Sequence, residues 1–126
     1  MVLQPGDVLY IYCVYSNPPK NKYAICVCPH FPLFFFINTY PRRTSPDAQV
    51  YIEKTELSCL RRDSYINTAA MFTFAQNELD KSEKRGVLTD AIRARIIYAV
   101  SNHDYLPLRH KEIALKNLRL PHCQKD

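Results

Sequence analysis

The sequence predicts a mainly β protein with some α: a small antiparallel β-barrel closed by a C-terminal helix, with a short extra helical extension. Three observations predict it. Apolar runs recur between residues 7 and 38, each followed by a short polar break. The first two runs are apolar on both faces, as expected for a closed barrel or a covered sheet. The clearest segment of helical period comes only after the strands, an order that suits a barrel closed by a helix.

Pro5-Gly6-Asp7 opens the first run, read as a strand over 7–15. A polar loop, Ser16 to Lys22, leads to a second strand over 22–28, and a third follows over 33–38. Their β-branched, aromatic and small apolar residues favour extended chain. The third run, Phe34-Phe35-Phe36-Ile37, stops at Asn38-Thr39-Tyr40-Pro41-Arg42-Arg43. Tyr40 to Ala48 holds two prolines, two arginines and an aspartate, which marks a loop. Gln49 to Glu53 alternates polar and apolar residues, a half-buried strand with Val50 and Ile52 inward. Thr55 to Leu60 reads as a helical turn or an irregular crossing. Two short strands are expected over 63–67 and 71–74. The charged stretch Asn77 to Arg85 reads as a turn or short helix, broken by Gly86.

The clearest helix begins at Thr89, a good N-cap, with Asp90 favoured in the first turn by the helix dipole. Ile92, Ile96, Ala99 and Val100 form an apolar stripe, with Arg93 and Arg95 off it. The helix ends near Ser101-Asn102, and Tyr105-Leu106-Pro107 connects to a second amphipathic helix over about 109–118. Pro121 to Asp126 reads as a loose tail.

With 126 residues and 47% hydrophobic content, the chain suits one folded domain. Its barrel is expected over about 5–76 and its helical part over about 87–120. Two glycines against nine prolines mean that turns rely on Pro, Asn, Asp and Ser. No apolar run reaches the roughly 18 residues that cross a bilayer. The N-terminus also lacks the charged and apolar regions of a signal peptide. The expectation is a soluble cytoplasmic protein with no membrane partner.

Five cysteines, an odd number, argue against a disulfide framework. Cys26, Cys28 and His30 are closely spaced, but no second ligand pair with zinc-like spacing follows them. They read as small buried hydrophobes with no metal. His103, His110 and His122 fall in C-terminal segments and read as surface residues. A net charge of +5 favours anionic partners, nucleic acid first. Strand ends that converge in a small barrel bring Lys20, Lys22, Thr39, Arg42 and Arg43 to one surface, where a phosphate backbone can lie.

Four landmarks fall in a familiar order: Pro5-Gly6-Asp7-Val8-Leu9, Lys22-Tyr23-Ala24-Ile25-Cys26-Val27, Leu60 to Ile66 with its Asp63-Ser64-Tyr65-Ile66, and Gly86-Val87-Leu88 before the helix. Over roughly residues 5 to 101, this order resembles the MazF/PemK toxins, whose SH3-like barrel is shared with the gyrase poison CcdB. The resemblance implies the toxin of a type II toxin–antitoxin system. Such a protein is an endoribonuclease that cleaves single-stranded RNA and mRNA without metal or other cofactor and so inhibits growth. In that chemistry a ribose 2′-OH attacks the adjacent phosphorus and a cyclic phosphate results. It needs proton donors and acceptors and positive charge at the phosphate.

By position, the family's strand-opening arginine becomes Lys22, and its strand-ending hydroxyl becomes Thr39. Lysine brings charge but not a planar fork. Arg42 and Arg43 are candidates to supply that fork to RNA, with Lys20 adding charge. The loop from Ser16 to Lys22 contains no carboxylate or histidine, so His30 and Asp63 are the acid/base candidates if the fold brings them near. The implied partners are RNA, an acidic antitoxin and a second copy of the chain in a homodimer.

Plainer readings stand beside these. Lys22 is also a solvated strand end, Thr39 a turn residue, the Arg42-Arg43 pair a solvated loop and Asp63 a turn carboxylate. The strand aromatics are also core residues. Two other functions fit the same residues. One is a non-catalytic barrel that binds nucleic acid or a protein target, as a gyrase poison does. The other is an interaction module with no toxin role.

Overall fold

Strands form where the apolar runs stand. The computed structural model describes residues 2–119. The first three runs become β1 (Asp7–Cys13), β2 (Lys20–Cys28) and β3 (Leu33–Asn38) in an antiparallel meander. Pro5 and Gly6 make the entry turn, in which the Asp7 N–H donates to the Gln4 carbonyl at 3.1 Å. Gly6 has φ 94°, a conformation that glycine adopts without steric cost and that a type II turn requires after proline. Buried Asp7 locks this turn, accepting from the Gln4 N–H at 2.8 Å and pairing with Lys84 at 3.2 Å.

The chain then adds β4 (Gln49–Ile52), β5 (Ser64–Phe72), helix α1 (Gln76–Lys81), β6 (Glu83–Val87) and helices α2 (Asp90–Asn102) and α3 (Leu108–Asn117). The six strands form one antiparallel sheet in the order β4-β5-β3-β2-β1-β6. Alternation along β1 to β3 sorts side chains into two apolar layers. Val8, Ile25, Phe35 and Ile37 pack with Ile92, Ile96 and Val100 of α2 and Ala114 of α3. On the other face Leu9, Ile11, Phe34 and Phe36 pack under Phe74 and Leu79. A fully buried Phe35 or Ile96 contributes about 1.5–3 kcal/mol through the area it removes from water.

Several expectations are corrected. The sheet does not close: among the described residues, β4 and β6 remain separate edges. Both faces of β1 and β2 are apolar because helices cover one side and the Phe74–Leu79 segment the other, not because strands meet in a ring. The two strands expected over 63–67 and 71–74 are one strand, β5, with a large bulge. Four residues of β5, Thr68 to Met71, stand between Asn67 and Phe72, where β3 has only Phe35 between their partners. The charged stretch to Arg85 is α1 followed by an edge strand, and Gly86 stands inside that strand opposite Val8. The first strand ends at Cys13, two residues early. His103 is buried at 5% exposure rather than lying at the surface. His122 and the tail from Pro121 lie outside the described residues.

Helix α2 begins as its sequence requires, with the Thr89 hydroxyl accepting from the Ile92 N–H at 3.2 Å. Arg93, off the apolar stripe, reaches the carbonyls of Leu118, Asn117 and Pro5 at 3.3, 3.2 and 3.5 Å. It thereby ties the end of α3 to the entry turn. No helix among the described residues is long and apolar enough to cross a membrane.

Candidate nucleic-acid interface

The register of β2 on β3 brings the start of one strand beside the end of the other, with Tyr23 opposite Ile37. A groove of about 1030 Å³ opens at these ends. Lys20, Lys22, Thr39 and Arg42 all line it. Four of the five cluster residues read from the sequence therefore share one concave surface. Arg43 stands exposed in the following loop and does not line the groove.

Lys22 is held rather than solvated. Its Nζ donates to the Asn38 side-chain oxygen and lies 4.8 Å from the centre of the Phe36 ring. Burial lowers its pKa below the ordinary lysine value, and the nearby positive charges of Arg42 and Lys20 act the same way, while Cys13 opposes them. Phe36 rests on Phe72 at 4.6 Å between centroids, and Tyr15 rests on Phe72 at 5.5 Å. Phe36 itself is buried, so exposed Tyr15 and half-buried Phe72 are the rings of this floor on which a base can stack. At the other wall Tyr10 and Tyr23 pack at 4.9 Å, and the Tyr23 hydroxyl donates to the Cys59 carbonyl at 2.9 Å. Asn67 accepts from Gln49 at 2.9 Å and from the Ala69 N–H at 3.1 Å, so what its amide offers a ligand is N–H. Among the described residues no aspartate, glutamate or histidine lines the groove. The groove thus presents cations, amide donors and aromatic side chains together.

The two acid/base candidates lie elsewhere. His30 is exposed in the turn after β2, at the far end of that strand from Lys22. Asp63 accepts from the Lys54 N–H at 2.9 Å and the Tyr51 hydroxyl at 3.0 Å, and these bonds hold its carboxyl below the usual range. It anchors β4 and its turn. The Cys26 thiol is buried and pushed up to about 12, chiefly by burial. Among the described residues no three His, Cys, Asp or Glu side chains gather in a metal-binding group.

Sequence reasoning passed over Asn38, Asn67, Tyr15 and Phe72 as site residues. Asn38 carried a signal, since it is the polar residue that ends the five-residue apolar run from Leu33 to Ile37. Asn67 and Phe72 carried none, because the bulge that brings them to the groove depends on pairing across the sheet.

No protein-family model and no curated protein matches this chain.

Proposed function

We propose that the groove binds single-stranded RNA and cleaves it by attack of a ribose 2′-OH, as the resemblance to MazF/PemK toxins implies. The observation that carries the reading is that Lys20, Lys22, Thr39 and Arg42 line one groove with an aromatic floor and, among the described residues, no carboxylate. Lys20 and Arg42 hold the backbone phosphates, and stacking on the floor orients the bases. The 2′-oxygen attacks phosphorus and its proton passes to solvent. The bond to the 5′-oxygen breaks, and that oxygen takes a proton from the Lys22 ammonium. A 2′,3′-cyclic phosphate and a 5′-hydroxyl result. A lysine with a lowered pKa is the better acid for this step, and Asn38 aims it. Thr39 donates to a non-bridging phosphate oxygen. In this reading the protein is a growth-inhibiting toxin. An acidic antitoxin peptide would silence it by occupying the same cationic groove, and the chain acts as a homodimer.

The test is cleavage of a long unstructured RNA by purified protein in EDTA. Products with 5′-hydroxyl and cyclic phosphate ends are expected, and Lys22→Ala should slow their formation about 10²-fold or more. The rate should also fall on the alkaline side below pH 10.5, the ordinary lysine value, as Lys22 loses its proton. Cleavage by Lys22→Ala at the parent rate would sink the assignment. A second reading is favoured by the absence of carboxylate and histidine from the lining among the described residues: the same groove grips RNA and leaves it intact. Salt-sensitive binding with no product under these conditions would select it.

A further inference from the structure

A second concavity, of about 480 Å³, adjoins the groove across the strand ends. Tyr10, Tyr23, Ile37, Asn38 and Thr39 line both, so the two form one continuous surface. Its far wall carries three arginines: Arg61 and Arg62 from the segment between Leu57 and Ser64, and Arg85 from β6. Among the described residues no acidic side chain lines this notch. Arg85 stacks over the Tyr10 ring at 4.5 Å, which sets its guanidinium beside the Tyr10–Tyr23 pair that separates the two spaces. Its ion pair with Glu83, at 2.6 Å, is made between exposed side chains and is weak enough to exchange for a phosphate. Asp63, the carboxylate next in sequence to Arg62, is already engaged by Lys54 and Tyr51. Arg61 and Arg62 are exposed and make no ion pair among the described residues.

We propose that this arginine notch is a second subsite, which holds a further backbone phosphate of the same single-stranded RNA. The proposal rests on the RNA reading of the groove. Guanidinium forks match phosphate oxygens in pairs, which Lys22 cannot do. The strand therefore crosses the crest at Thr39 and leaves the groove through the notch. Lys22 faces the reacting phosphate, and the arginines hold its neighbour. Tight binding then demands an oligonucleotide long enough to reach both spaces.

The experiment measures anisotropy of labelled 2′-O-methyl RNA oligonucleotides from two to eight residues, which cannot be cut by 2′-OH attack. Parent protein, Lys22→Ala, Arg61→Ala/Arg62→Ala and the triple variant adding Arg85→Ala are compared at several salt concentrations. Affinity for the parent should step up at the length that spans both spaces. The triple variant should abolish that step and weaken the longer oligonucleotides about 10–100-fold. It should also reduce the salt slope by about 0.7 for each phosphate that is no longer neutralised. The double variant should show part of the loss while Arg85 stays on the Tyr10 ring. If long oligonucleotides bind, weaken with Lys22→Ala and ignore the arginine variants, the notch is overturned and the groove stands. If no oligonucleotide binds the parent, both are overturned.

Discussion

At the scale of single residues, Gly6 shows how one backbone angle supports several distant interactions. A side chain at this position meets two obstacles. The φ of 94° disfavours any L-residue, and a Cβ would stand 3.0 Å from an Arg93 guanidinium nitrogen. That nitrogen belongs to the clasp on Pro5, Asn117 and Leu118, so moving it loosens three hydrogen bonds to carbonyls together. Gly6→Ala is expected to destabilise the protein by about 1–3 kcal/mol. Urea unfolding measures it, and an unchanged midpoint would show that the clasp adds nothing to stability. Lys22 makes the opposite case. Its charge was legible in the sequence, but its partner was not. An amide at Asn38 reads as a strand terminator until the register of β2 on β3 sets it beside the ammonium.

At the scale of elements, legibility followed the strength of local signals. Helix α2 was readable because cap, dipole and stripe agree within thirteen residues. Thr89→Ala should cost about 1 kcal/mol by leaving the Ile92 N–H without its acceptor, while Thr89→Ser should retain most of the stability. Equal midpoints for Thr89→Ala and the parent would show the cap to be idle. Strand β6 was not readable, for the reason that edge strands are hard to see. Its Glu83, Lys84 and Arg85 are exposed, it has one paired side, and charge there discourages association with other chains. The split reading of β5 has a similar origin. A bulge interrupts the period of two, and only the partner strand shows that the chain continues beyond it. The cationic groove needed no such detail, since it follows from strand ends that any antiparallel meander brings together.

At the scale of the whole molecule, buried His103 joins parts that no local pattern connects. Its Nδ1 accepts from the Tyr105 N–H at 3.2 Å, so Nε2 carries the proton and donates to the Thr68 hydroxyl at 2.9 Å. Thr68 in turn donates to the Ala48 carbonyl at 2.8 Å, and Lys111 of α3 donates to the His103 carbonyl at 2.9 Å. The neutral ring thus ties β5 and the turn before β4 to the end of α2, while the His103 backbone carbonyl holds α3. Burial lowers its pKa, the Lys111 charge lowers it further, and Asp104 and Asp47 only partly oppose them. In the unfolded chain the ring takes up a proton near the ordinary value of 6.5, whereas the folded ring resists until a lower pH. The unfolded state then binds more protons, so stability is complete above about pH 6.5 and falls as the pH drops through that value toward the folded one. The largest slope this group alone can give is about 1.4 kcal/mol per pH unit. The carboxylates held low, Glu56 and Asp63, contribute a loss of the same sign, but only nearer pH 4, which separates the two effects. Urea midpoints at pH 7.5, 6.5 and 5.5 should therefore decline in the parent. In His103→Gln the protein should be less stable at every pH, with a flatter dependence across that range. Parallel declines in parent and variant would show that His103 does not control the acid response of the fold.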